Sequence, residues 1–123
     1  MTDQNNTLDR LCMFGFGLGA EQNINMVRGD TFAFGLECEE LDQDLETAFF
    51  TVRKSYDGDI IFQRSIGHGI EKVETGIYSI RIAPENTKEL EAGHYYYDFE
   101  IGVNNDVFTL AYGDLWIEHD STY

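Results

Sequence analysis

The feature that most constrains this chain is an alternation of apolar and polar side chains with a period of two, which begins near Thr31 and recurs over most of the sequence. It is clearest between residues 94 and 103, where apolar side chains stand at every second position: Tyr95, Tyr97, Phe99, Ile101 and Val103. This period is typical of strands that bury one face and expose the other. The nine phenylalanines, seven tyrosines and one tryptophan also favour strands. The pattern therefore predicts an all-β chain.

Turn-forming sequences separate the apolar runs at short intervals, at 28–30, 57–59, 67–69, 75–76 and 104–106. Glycine, asparagine and aspartate form tight turns, and this spacing is typical of an antiparallel β-sandwich. We expect seven or eight strands, near 22–28, 31–38, 47–54, 59–64, 70–73, 77–82, 94–103 and 106–118. Pro84 suits the first position of a helix, so one short helical turn is expected after it, within 84–90.

The last predicted strand changes phase along its length. Its apolar residues fall into two sets of opposite parity, Phe108, Leu110 and Tyr112 in one and Leu115 and Ile117 in the other. If both sets face the core, the strand needs one extra residue between them. Glycine is frequent at such irregularities, so we expect a bulge or kink within a residue or two of Gly113.

A structural motif precedes the strand that begins near residue 94. Leu90, Gly93 and Tyr95 have the spacing Leu-x-x-Gly-x-Tyr, which resembles the tyrosine corner of Greek-key sandwiches. In that motif the tyrosine hydroxyl bonds to a main-chain group a few residues upstream, which pins the crossover between two sheets. The motif predicts an immunoglobulin-like sandwich and implies no catalysis.

A length of 123 residues suits a single domain with its own core. The periodic pattern is complete from about residue 21, which divides the chain into an N-terminal arm, 1–20, and a sandwich domain, 21–123. Apolar side chains within the arm need a surface to cover them, and we expect an interaction arm that uses Leu11, Phe14, Phe16 and Leu18. The alternatives are that the arm covers its own sandwich or has no fixed structure.

The charge balance narrows the choice of partners. The chain has 23 acidic and 8 basic residues, a formal net charge of -15. This charge repels phosphate backbones and anionic lipids, so neither nucleic acid nor a membrane is an expected partner. Six acids lie within 37–46. We interpret this run as a solvated loop, with a face that docks on a basic partner as the alternative.

The sequence predicts no metal site and no cofactor. Cys12 and Cys38 lack the paired spacing of a zinc site and are too few for a disulfide framework, so free, reduced thiols and an intracellular origin are expected. The oxygen-rich segments 57–59 and 104–106 match no EF-hand pattern and are interpreted as turns. The glycines of 15–19 lack the ending of a phosphate-binding loop.

No arrangement in the sequence indicates an enzyme. Nucleophilic catalysis requires a base beside an activated nucleophile, with side chains that converge from separate elements. The three histidines are His68 between glycines, His94 in the corner motif, and His119 near the end of the sequence. We therefore predict no catalytic residues and a non-enzymatic module.

Five segments carry a family resemblance by their order and spacing: 28–34 (RGDTFAF), 49–54 (FFTVRK), 78–87 (YSIRIAPENT), 90–98 (LEAGHYYYD) and 113–115 (GDL). Over about 23–118, the chain resembles small structural proteins of tailed phages and prophages that are related to the N-terminal domain of the siphophage upper baseplate protein. The resemblance implies an immunoglobulin-like fold and a virion protein assembled in the bacterial cytoplasm. It further implies contacts with other virion proteins or with copies of itself as a homo-oligomer, and it supplies no catalytic residues.

Two other functions are compatible with the sequence. An acidic DNA mimic that inhibits a host enzyme would use the negative charge, although the acids are concentrated in one loop. A carbohydrate-binding surface module would use exposed aromatic side chains such as Tyr56, Tyr96 or Trp116.

Overall fold

The structure is a computed structural model and describes residues 12–14, 21–38 and 41–120, the first of these ranges by its backbone only. Nine strands and one helical turn lie in these ranges: β1 (Cys12–Phe14), β2 (Ile24–Val27), β3 (Phe32–Cys38), β4 (Thr47–Arg53), β5 (Ile60–Ile66), β6 (Gly69–Glu74), β7 (Ile77–Ile82), α1 (Pro84–Thr87), β8 (Gly93–Val103) and β9 (Asp106–Glu118). The eight predicted strands are all present, with ends within two residues of the predicted ones. The additional strand is β1.

The strands hydrogen-bond in the order β1-β3-β7-β6-β5-β4-β8-β9-β2. We call β1, β3, β7 and β6 the back sheet, and β5, β4, β8, β9 and β2 the front sheet. Their connection is slight, because β5 and β6 pair in parallel over only two residue pairs. On the far edge of the front sheet, β2 pairs in parallel with β9. The remaining named strand pairs are antiparallel.

The two sheets pack face to face around an aromatic centre. Phe34 of β3 and Phe50 of β4 lie in different sheets, yet their ring centroids are 5.5 Å apart. Phe50 is fully buried and stacks on Tyr97 of β8 at 5.3 Å. In antibody-type domains a disulfide and a tryptophan fill this space, and one cysteine of that disulfide stands two residues after the corner tyrosine. Tyr97 holds that position here, so aromatic packing takes the place of that inter-sheet disulfide.

The tyrosine-corner hydrogen bond is present. Tyr95 is buried, and its hydroxyl donates to the carbonyl oxygen of Glu91 at 2.7 Å. Gly93 adopts a φ of +145°, which favours glycine, and Leu90 packs half-buried against the core. The residues singled out by the Leu-x-x-Gly-x-Tyr spacing therefore lie together where β8 begins.

The expectation of free thiols is wrong, because Cys38 is disulfide-bonded. β1 lies antiparallel to β3, and its register places Cys12 directly opposite Cys38. Directly opposed residues in an antiparallel pair have Cα atoms about 4.5 to 5.5 Å apart, within the range that a disulfide spans. Sequence spacing alone does not reveal this pairing, because it depends on β1. The argument from free thiols to an intracellular origin therefore loses its basis.

The irregularity in β9 is displaced from its predicted place. Phe99 pairs with Ala111 and Glu100 with Thr109, so Leu110 is the extra residue. As a result Tyr112 points outward and is 43% exposed, although the sequence pattern had assigned it to the core. The bulge lies three residues before Gly113, outside the predicted window.

Gly113 has a different role, which is to allow a close approach of two chain segments. A Cβ at this position would lie 2.2 Å from the carbonyl oxygen of Gln22. That carbonyl accepts a hydrogen bond of 2.7 Å from the hydroxyl of Tyr97. The backbone N–H of Gln22 donates to the carbonyl of Tyr112. Gly113 therefore lets the segment before β2 lie against the front sheet.

The predicted interaction arm falls largely outside the described residues. Leu11, Phe16 and Leu18 are among those outside, and Phe14 is described only as the last residue of β1. The three residues of β1 pair with β3 of the same chain. The role of the arm stays a prediction.

Candidate interaction surface

The outer face of the front sheet carries the most distinctive group of side chains, which we call the aromatic row: Tyr56, Tyr96, His94 and Trp116. The alternation of β8 turns Tyr95 and Tyr97 inward and His94 and Tyr96 outward. The register with β9 then sets Trp116 opposite His94 and Asp114 opposite Tyr96. The row thus follows from strand alternation and register.

The four rings are in contact along the row. His94 stacks on Trp116 with centroids 4.4 Å apart and planes 12° apart. His94 and Tyr96 are separated by 4.5 Å, and Tyr96 and Tyr56 by 4.1 Å. Tyr56, in the turn between β4 and β5, is 70% exposed, and Trp116 is 44% exposed. Because the inner rings cover one another, the two end rings offer the most accessible aromatic surface.

Polar side chains fix the row on the sheet. His94 Nε2 lies 2.9 Å from Asp114 Oδ1, which orients the imidazole. Arg53 pairs with Asp98 at 3.2 Å. Lys54 donates a hydrogen bond of 3.0 Å to the carbonyl oxygen of His94.

The electrostatic surroundings of the row are negative. Desolvation, and then the charge of Asp114, raise the pKa of the Tyr56 phenol, with smaller contributions from other neighbours that include Glu21. Burial also raises the pKa of Asp98, and the adjacent Arg53 offsets part of this effect. Only the charge contributions at Tyr56 reflect the negative surroundings, because the shift at Asp98 comes from burial and is opposed by Arg53.

A shallow polar groove continues the row across the front sheet. It has a volume of about 420 Å³ and is lined by Phe49, Thr51, Arg53, Gln63, Asp98 and Glu100. Within it, the Gln63 amide donates to the hydroxyl of Thr51 at 2.8 Å. The groove therefore offers an amide, carboxylates and a guanidinium beside the aromatic row.

A second depression, of about 490 Å³, lies near the start of α1 and is lined by Arg28, Gly29, Asp30, Pro84, Lys88, Glu89 and Asp120. Its charges are of both signs. Arg28 pairs with Asp120 at 3.0 Å and donates to the carbonyl of Leu90 at 3.2 Å. These contacts brace the corner region, and the larger depression is consequently a weaker candidate than the aromatic row.

The three histidines lie apart in the fold. His68 is in the turn between β5 and β6, His94 is in the aromatic row, and His119 Nδ1 contacts the carbonyl of Asp120 at 3.0 Å. In the ranges that the structure describes, no three His, Cys, Asp or Glu side chains are grouped so as to hold a metal ion. Within the same ranges, no helix has the length and apolarity needed to cross a membrane.

The oxygen-rich segment at the end of β8 forms a tight turn. Asn104 and Asn105 adopt φ values of 56° and 63°, and Val103 pairs with Asp106 to close the hairpin. Two successive left-handed residues define a type I′ turn, for which asparagine is favoured. This conformation accounts for the asparagines without a bound ion.

Sequence reasoning identified three aromatic members of the row as separate exposed side chains, but it missed His94 and Asp114. The available signal was the alternation in β8, which places His94 on the same face as Tyr96. Asp114 joins them only through the register of β9, which depends on the bulge at Leu110.

No protein-family model matches this chain, and no curated protein matches it. Among solved structures it is similar to the swine CD8αα homodimer, at 11% identity and a TM-score of 0.51 over 88% of this chain and 98% of that one. The first immunoglobulin domain of the mouse polymeric immunoglobulin receptor matches at 10% identity and 0.49, over 89% and 95%. The RIG-5 IG1 homodimer matches at 8% and 0.40, over 89% and 97%.

The topology and the similarity to CD8αα define the class of protein. The chain is an all-β, immunoglobulin-like β-sandwich with one short helical turn, as the sequence pattern predicted. Identities this low show the fold alone.

Proposed function

We propose that this chain is a non-enzymatic module that acts through protein–protein contacts, made by the aromatic row on the outer face of its front sheet. The observation that carries the proposal is the exposure of Tyr56 and Trp116 in one ordered row. Tyrosine and tryptophan are enriched among residues that dominate binding energy at protein interfaces. Folding does not require them here, because the core is on the other face of the sheet.

The family resemblance supplies the context of the proposal. It favours a phage or prophage virion protein of the tail or baseplate type, whose partners are other virion proteins or further copies of the chain. Assembly would then take place in the bacterial cytoplasm, which keeps thiols reduced, so the disulfide at Cys38 would form only after the virion leaves the cell. The front sheet is suited to such contacts because its side chains are held by the His94–Asp114 and Arg53–Asp98 pairs before any partner arrives.

Site-specific photo-cross-linking tests the proposal. A photoreactive phenylalanine analogue is placed at Trp116, and, as a matched control, at Val73 of the back sheet, which is 64% exposed. In cells that produce the protein, position 116 should give a discrete adduct with one protein, either another virion protein or a second copy. Equal adducts from both positions, or none from position 116, would contradict the proposal.

Carbohydrate binding is the second candidate, favoured by the ring surface of Tyr56 beside the groove that Gln63 and Glu100 line. Titration with a panel of oligosaccharides separates the two functions. Binding that is lost in Tyr56→Ala, combined with no protein adduct from position 116, would favour the carbohydrate function.

A further inference from the structure

The charges around the aromatic row are unbalanced. Asp114 and Glu21 act on the phenol of Tyr56, and Asp98 and Glu100 line the adjacent groove. Two basic side chains beside the row are already engaged, Arg53 with Asp98 and Lys54 with the carbonyl of His94. The exposed carboxylate of Glu21 and the partly exposed carboxylates of Asp98, Glu100 and Asp114 therefore stand near accessible aromatic surface, with Asp98 paired to Arg53 and Asp114 bonded to His94 Nε2.

The fold already contains one contact between a cation and an aromatic ring next to this face. The ammonium of Lys54 lies 4.3 Å from the centroid of the Tyr95 ring. Such contacts are attractive because the face of an aromatic ring is electrostatically negative. Tyr56 and Trp116 present more exposed rings than Tyr95 does. Asp114 lies close to the two inner rings of the row, because it is bonded to His94 and lies opposite Tyr96 in the sheet.

The net charge decides between occupants of the face. A second copy of the chain brings the same formal charge of -15 and does not complement an acidic surface. Anionic partners are repelled for the same reason. A basic polypeptide gains both from the carboxylates and from the ring faces, and arginine is better suited than lysine because its planar guanidinium stacks on rings and pairs with two carboxylate oxygens.

We propose that the aromatic row and the carboxylates beside it bind an arginine-rich segment of a partner protein. This inference rests on the proposed function and specifies the chemistry of the partner. Guanidinium groups would stack on Tyr56 and Trp116 while pairing with Asp114 and Glu21. This binding does not require the acidic run 37–46.

The inference is tested with a fluorescently labelled peptide of alternating arginine and glycine, titrated at near-physiological salt. The same peptide with citrulline in place of arginine is the control, because citrulline keeps the shape of the side chain and removes its charge. The protein variants are Tyr56→Ala, Trp116→Ala and Asp114→Asn on the front sheet. Glu71→Gln on the exposed surface of β6 is matched to Asp114→Asn in its change of net charge.

The arginine peptide should bind and the citrulline peptide should not. Each aromatic substitution should weaken binding by about two- to fivefold, as expected for an exposed cation–π contact. Asp114→Asn should weaken it by up to about fivefold, and Glu71→Gln should leave it within error. Melting temperatures of the front-sheet variants close to that of the parent would show that the losses are local.

Three results would overturn the inference. Equal losses from Asp114→Asn and Glu71→Gln would indicate non-specific attraction to an acidic protein. Equal binding of the citrulline peptide, or no binding of the arginine peptide, would exclude cationic recognition. If the adduct from position 116 persists while the arginine peptide fails, the proposed protein-contact function stands and only the arginine chemistry is refuted.

Discussion

The outer faces of the two sheets differ sharply although their inner faces are built alike. On the front sheet, β8 and β9 present an aromatic row. On the back sheet, the register of β3 and β7 sets Gly35 opposite Ser79 and Ala33 opposite Arg81, so small or charged side chains prevail. Both sheets bury alternate apolar residues, and that alternation constrains only the inner faces. Aromatic side chains on an outer face are therefore a feature that folding does not demand.

The largest loss of stability should come from disrupting the packing of the inner face while leaving the outer face intact. Phe50→Ala removes a fully buried ring that contacts both Phe34 and Tyr97, and should lower the free energy of unfolding by about 3 to 5 kcal/mol. Trp116→Ala, on the outer face, should lower it by less than about 1 kcal/mol, as surface substitutions usually do. Urea denaturation measures both values. Similar losses would mean that the aromatic row is part of the structural core.

The disulfide should stabilise the back sheet without affecting the aromatic row. Reduction should lower the free energy of unfolding by about 2 to 4 kcal/mol, because the open chain gains conformational freedom when unfolded. Denaturation with and without a reductant measures this change. Cys38→Ala is the control, since its stability should not respond to the reductant. A parent protein equally insensitive to reductant would contradict the cross-link.

The tyrosine corner can be compared with its outward-facing neighbour on the same strand. Tyr95→Phe removes the hydroxyl that bonds to Glu91 and should cost on the order of 1 to 3 kcal/mol of stability. Tyr96→Phe alters the outer face and should change stability by no more than about 0.5 kcal/mol. Thermal and urea unfolding of the pair would measure the difference. A Tyr95→Phe variant with the stability of the parent protein would contradict the structural role assigned to the tyrosine corner.

Alkaline pH should act on the inner face through Tyr97. Burial raises the pKa of its phenol above the usual 10.0, so the folded state keeps a proton that the unfolded state loses. The resulting stability is fully present below about pH 10 and is lost as pH rises towards the folded pKa. Melting temperatures recorded from about pH 9 upward should fall, and those of Tyr97→Phe should fall less steeply. Parallel curves for the two proteins would contradict this assignment.

Strand alternation made most of the sandwich predictable, and its failures have local causes. β1 was missed because three residues flanked by a glycine-rich stretch give too short a pattern, and the disulfide at Cys38 was missed with it. The position of the bulge was missed because tyrosine is compatible with either face. Tyr112 was therefore assigned inward, which displaced the expected irregularity towards Gly113.

The candidate site was less predictable than the fold because it depends on neighbours distant in sequence. The outward-facing positions of Tyr56, Tyr96 and Trp116 could be anticipated one by one. Their assembly with His94 requires the register between β8 and β9 and the turn that brings Tyr56 onto Tyr96. Neither the register nor the turn conformation follows from a period of two.

Trp116 is the only tryptophan of the chain, so its fluorescence reports directly on the central claim that the aromatic row is the binding face. The protein that cross-links from position 116 would be titrated into the parent chain while tryptophan emission is recorded, using a partner variant without tryptophan. Saturable quenching or a blue shift, with the midpoint that calorimetry gives for the same complex, is the predicted result. Calorimetric binding with no change in the emission of Trp116 would contradict the account.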